Sequence, residues 1–167
     1  IDTYAGCLPD RLGVSGRYAH QYYFDYPANA PLVRFIMIDP DIYRDSVMQE
    51  YCTAGDTANC DWLKARIDEA KVKGLWTVVG THKVCITMGT TSCEIGAPLL
   101  NVMIERKVDL ILQGHDHGYQ RSKQLALNAD PNATCAGIKS GVYDADCVVD
   151  TGADGTYGKG AGTVIAI

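Results

Sequence analysis

Along this 167-residue chain, short apolar runs end at Gly, Asp, Pro or His, and they alternate with two segments of helical period. Between Arg11 and Tyr26, the aromatic and partly alternating string LGVSGRYAHQYYFDY predicts a strand or hairpin with one buried face. Leu32 to Ile38 (LVRFIMI) reads as a buried strand that stops at Asp39-Pro40. A loop from Tyr43 to Asn59 leads into DWLKARIDEAKVKG, where Leu63, Ile67 and Ala70 share one face and Gly74 ends the helix. Leu75 to Val79 (LWTVV) is a core strand that breaks at Gly80-Thr81-His82. The pattern then recurs: Pro98 suits a first helical turn, Leu99, Val102 and Met103 form a stripe, and Arg106-Lys107 complement the carboxyl end. Val108 to Leu112 (VDLIL) is a further strand, breaking at Gln113-Gly114. Ala126 to Gly162, rich in Gly, Asp, Ala and Asn, is expected to run over the surface before TVIAI begins another strand. With no repeat and no linker, residues 1–167 are expected to form one domain, or much of one.

Composition narrows the partners. The net charge of -5 comes without any dense Lys/Arg tract, so nucleic acid binding is not expected. No apolar run approaches the roughly 20 residues of a transmembrane helix, and Ile1 opens a polar, turn-rich stretch that looks internal or processed. The seven cysteines fall into brackets: Cys52 with Cys60, Cys85 with Cys93, Cys135 with Cys147. As disulfides, the shortest loops would each contribute about 2 to 3 kcal/mol by chain entropy. Zinc-knuckle spacing is absent, and an oxidising, extracytoplasmic compartment fits this usage. Cys7 is left over, and Asn132-Ala133-Thr134 is a formal glycosylation acceptor.

Three of the four histidines, His82, His115 and His117, directly follow predicted core strands, where open α/β sheets gather functional groups. In GHDH, residues two apart in extended backbone point the same way, so His115 and His117 could reach one or two adjacent ions, with Gly114 allowing close backbone approach. Imidazole suits zinc, iron and manganese. Spacing alone leaves a purely structural role for these histidines equally open. His20, among aromatics, reads as structural, and Asp116 is expected to point away from its histidine neighbours.

VDLILQGHDHGYQR resembles the last metal motif of the calcineurin-like metallophosphoesterases, above all of the purple acid phosphatase branch. WTVVGTHK resembles the preceding histidine motif, DWLKARIDEA the helix between, and GKGAGTVIAI the strand after the metal motifs. The resemblance spans roughly residues 17 to 167. Lys83, after His82, departs from the proline-containing turn of many relatives. The family's D-x-H, G-D-x-x and G-N-H-[DE] motifs, which carry the aspartates, the asparagine and the catalytic histidine, have no counterpart here, and IDPD at residues 38–41 is not one of them.

The resemblance implies an α/β fold, a two-sheet sandwich flanked by helices, represented only in part, with residues 1–167 as the histidine half of an incomplete catalytic domain. It implies that His82 and His115 bind one metal ion and His117 a second, with Fe, Zn or Mn as the ions. Tyr119 and Arg121 are expected to brace the loop. The implied activity is metal-dependent hydrolysis of phosphate esters by a secreted acid-phosphatase-type phosphomonoesterase. Two alternatives stay open: a phosphodiesterase acting on nucleotides or phospholipids with the same centre, and a non-catalytic, metal-stabilised extracellular module. The missing N-terminal half is the expected partner, and the chain alone is expected to be inactive.

Overall fold

The computed structural model describes residues 13–18, 20–40, 43–44, 47–55, 57–128 and 135–167. Cys7 and the Asn132-Ala133-Thr134 acceptor lie outside the described residues, as does Asp41 of the IDPD string. In chain order the elements begin with β1 (Ser15–Gly16), β2 (Tyr22–Tyr26), β3 (Val33–Met37), β4 (Tyr43–Arg44) and β5 (Val47–Met48). Helix α1 (Ala58–Val72), strand β6 (Trp76–Thr81), helix α2 (Ala97–Glu105) and strand β7 (Leu110–Gln113) follow. Strand β8 (Gln124–Leu125), a 3-10 turn (Ala145–Cys147), β9 (Val148–Asp150) and β10 (Val164–Ala166) complete the order.

The large sheet has six strands in the order β1-β2-β3-β6-β7-β10. β1, β2 and β3 pair antiparallel, as the aromatic hairpin predicts, whereas β3, β6, β7 and β10 are mutually parallel. The two parallel crossovers from β3 to β7 carry α1 and α2, the usual way of joining parallel strands. Because the side-chain period is two, the register aligns one row across the sheet: Tyr23, Ile36, Val79, Ile111 and Ile165. This row meets Leu63 and Ile67 of α1 and Leu99, Leu100, Met103 and Ile104 of α2 in one apolar cluster. The α2 stripe therefore runs through Leu100 and Ile104; Val102, predicted for the core, is only half-buried.

α1 begins three residues before the predicted Asp61, burying Cys60 with Leu63, Ile67 and Ala70. It ends at Gly74, whose φ of +68° reverses the chain so that the Leu75 N–H donates to the Ala70 carbonyl at 2.9 Å. The disulfides Cys52–Cys60, Cys85–Cys93 and Cys135–Cys147 all form, as the bracketing predicts. The expectation of a surface course for residues 126–162 is corrected in part: Cys135, Ile138 and Cys147 are buried in the main core, and β8 and β9 pair antiparallel. A glycine-rich composition concealed the depth at which this disulfide lies, packed with Ile138 in the main core.

The other sheet face carries Phe35, Met37, Val78 and Leu110, all half-buried, with Trp76 43% and Leu112 42% exposed. The implied two-sheet sandwich is not what the described residues form. Their long strands all join one sheet, leaving only the two-stranded ribbons β4-β5 and β8-β9 besides it. No helix of the described residues is long and apolar enough to cross a membrane.

One charge is built into the helix-covered face. The Arg34 side chain is 1% exposed; it donates to both carboxylate oxygens of Asp25 at 2.6 and 2.9 Å, and to Glu69 and the Arg66 carbonyl of α1. Its guanidinium also lies 4.2 Å from the centroid of the Tyr23 ring. Arg34→Ala is expected to lower stability by about 3 kcal/mol, since it strands Asp25 and empties the space under α1; urea denaturation reads this loss. Hydrogen bonds from Arg34 hold the Asp25 carboxyl below its usual value near 3.8, against an opposing contribution from burial. A carboxyl depressed in the folded state stabilises fully above its unfolded pKa, and that stability is lost as pH falls through the folded value. Asp25→Asn should therefore flatten the loss of stability between roughly pH 5 and pH 2, measured by denaturation across pH.

Candidate functional site

Parallel strands end at a common edge, so β6 and β7 deliver the residues that follow them side by side. Thr81 pairs with Gln113, and the ladder continues one step further: the Gly114 N–H donates to the His82 carbonyl at 3.1 Å. A Cβ on Gly114 would stand 3.3 Å from both His82 Nδ1 and the His82 carbonyl oxygen, so a residue without a side chain suits this approach. Directly beyond, His115 Nδ1 lies 3.2 Å from His82 Nε2, the two rings edge to face with centroids 5.2 Å apart. Either a shared proton or a shared ion accounts for so close an approach of two ring nitrogens. Two nitrogens on one zinc-like ion, each at about 2.0 to 2.1 Å, stand roughly 3.3 Å apart at the tetrahedral angle. His82 and His115 thus fit two coordination positions of one ion.

The backbone through Gly114 to Gly118 bends instead of running extended, and His115 itself has φ +69°, in the left-handed region. The extended backbone on which the expected alternation rests is therefore absent here, and His115 and His117 are both exposed. Among the described residues, no group of three or more His, Cys, Asp or Glu side chains converges to hold an ion.

A clasp between residues 83 and 94 braces this segment. Its neck is closed by the Glu94 N–H donating to the Val84 carbonyl at 2.9 Å, by the Lys83–Glu94 ion pair at 2.7 Å, and by the Cys85–Cys93 disulfide. Within it, the hydroxyls of Thr87 and Thr91 both donate to Asp116, and these bonds hold that carboxyl below its usual range. Asp116, expected to point away from its histidine neighbours, is bonded to the loop and ties the segment that carries them to it. Glu94 also reaches the site: its Oε2 lies 3.8 Å from His115 Nε2. Sequence reading missed Glu94, Thr87 and Thr91; the Cys85–Cys93 bracket, which encloses the two threonines and immediately precedes Glu94, was the available signal.

Tyr119 is 82% exposed and Arg121 lies over the Tyr157 ring at 5.3 Å, so the bracing expected of this pair rests on Arg121. His20 is buried, 3.5 Å from Asp39, whose other oxygen lies 3.0 Å from the Tyr51 hydroxyl. The structural reading of His20 thus gains a carboxylate neighbour at the carboxyl end of β3.

The chain superposes on purple acid phosphatase PPD1 from yellow lupin (Lupinus luteus) seeds with a TM-score of 0.53, at 17% identity, over 95% of this chain. Its fold is like part of a purple acid phosphatase. The chain spans 24% of that protein's length. No protein-family model and no curated protein matches the sequence. At this identity the likeness concerns the fold, a metallophosphoesterase-like arrangement, and function has to be argued from the site.

The positive φ of His115 has a measurable cost. In the metal-free chain, His115→Gly should be more stable than His115→Ala by about 1 kcal/mol, because only glycine occupies this backbone region without strain. Thermal or urea unfolding of the two variants gives the comparison; equal stabilities would remove the strain.

Proposed function

We propose that this chain supplies the histidine side of a metallophosphoesterase centre and works within a secreted, acid-phosphatase-type phosphomonoesterase. The observation that carries this reading is the 3.2 Å approach of His82 and His115 at the ends of adjacent parallel strands, in a fold similar to a purple acid phosphatase. In this reading His82 and His115 hold one ion and His117 a second, with the carboxylate ligands coming from outside these 167 residues. Iron, zinc and manganese all suit imidazole. When bound, such ions neutralise phosphoryl oxygens and lower the pKa of a coordinated water.

The chain's own part is to position. The β6-β7 ladder fixes the separation of His82 and His115, and the clasp on Asp116 fixes the bend that carries His115 and His117. The half-open sheet face beside His82, lined by Phe35, Met37 and Leu112, leaves room for further protein next to the site. Three disulfides support assignment to an oxidising, extracytoplasmic compartment.

The test compares the isolated chain with the natural polypeptide that contains it. The chain alone should bind zinc weakly and hydrolyse p-nitrophenyl phosphate no faster than background, since neutral imidazoles leave two cations unneutralised. In the natural polypeptide, His82→Ala and His115→Ala should each reduce hydrolysis roughly a hundredfold or more. Turnover by the chain alone, or full activity in both variants, refutes the reading. A strong preference for bis(p-nitrophenyl) phosphate would move the assignment to a phosphodiesterase, and metal binding without hydrolysis to a non-catalytic module.

A further inference from the structure

We propose that Glu94 is a positioning residue for His115, selecting the imidazole tautomer that presents Nδ1 beside His82. This rests on the reading that His82 and His115 share an ion. Glu94 sits directly after Cys93, at the neck of the clasp, and its two carboxylate oxygens are differently engaged. Oε1 accepts from Lys83 Nζ at 2.7 Å. Oε2 is buried without a hydrogen bond among the described residues, 3.8 Å from His115 Nε2.

A neutral imidazole carries one N–H, and a carboxylate can only accept. A buried carboxylate oxygen without a donor is costly, and the N–H on His115 Nε2 is the donor at hand. Placing the proton there leaves the Nδ1 lone pair facing His82 Nε2, 3.2 Å away. Histidines that bind metal commonly donate their other ring N–H to a carboxylate, which fixes both tautomer and ring orientation. A shift of less than about 1 Å from the present 3.8 Å brings Glu94 within hydrogen-bond range of His115.

Lys83 gives the device its rigidity. It sits one residue beyond His82, where the sequence departs from the turn usual in the resembling family, and its ammonium holds the Glu94 carboxylate by one oxygen. The pair joins the residue next to one imidazole to the ring of the other. The disulfide and the Glu94 N–H bond to Val84 keep the two ends of the loop from drifting apart.

Long-range nitrogen–proton correlation NMR on the metal-free chain reads the tautomer directly. Wild type should show His115 with its proton on Nε2; a proton on Nδ1 overturns the proposal without any variant. Glu94→Ala should give a mixture of tautomers and lower zinc affinity by calorimetry about tenfold or more, while Glu94→Gln, whose carbonyl still accepts, should retain the Nε2–H form. An unchanged tautomer and zinc affinity in Glu94→Ala also overturns it; should that variant not fold, the wild-type tautomer decides. His82→Ala and His115→Ala in the same calorimetry separate the two levels. If neither weakens zinc binding, the shared-ion reading fails; if both do and Glu94→Ala does not, the role of Glu94 alone fails.

Discussion

The parallel hydrogen-bonded ladder between β6 and β7 is the constraint on which the site depends. It fixes which residues leave the sheet at the same edge, and its last step, from the Gly114 N–H to the His82 carbonyl, brings two imidazoles edge to face at that edge. The ladder holds its register because a one-residue slip would carry Val79 and Ile111 away from the helices and expose them. Burial of that row under α1 and α2 therefore sets the distance between His82 and His115. Core packing and site geometry are one problem here.

Past the end of the ladder, order is supplied by a different kind of bond. The bend at His115 places a non-glycine residue at positive φ, a conformation that persists only where surroundings impose it. Those surroundings are the disulfide-closed loop whose threonines grip Asp116 and whose Glu94 faces the His115 ring. The oxidation state of this cysteine pair is thereby linked to the site: reduction of Cys85–Cys93 would loosen the loop that holds the bend.

Much of this was legible in the sequence, for identifiable reasons. The strands could be read because LVRFIMI, LWTVV and VDLIL are apolar runs with abrupt polar ends, and α1 because Leu63, Ile67 and Ala70 keep helical period. His82 and His115 were legible as residues that follow strands. The bend after Gly114 was not, because nothing in GHDH announces a left-handed histidine. Glu94 was invisible for another reason: it meets His115 through a turn of the chain with no periodicity to betray it. Cys135 and Cys147 could be paired, but the depth at which they lie depends on Leu125 and Ile138 packing around them.

The balance of charge explains why histidines and hydrolysis need not travel together. Two divalent cations a few ångströms apart repel strongly in any medium less polar than water, and neutral imidazoles do nothing to offset that repulsion. Imidazoles can still bind one ion, and the His82–His115 spacing suits one. The described carboxylates near them are engaged elsewhere, Asp116 with two threonines and Glu94 through one oxygen with Lys83. Negative charge sufficient for a second ion must then come from other residues. Under the proposed reading, a first ion would be held at this edge of the sheet, and phosphate chemistry would follow whatever carboxylates are brought against it.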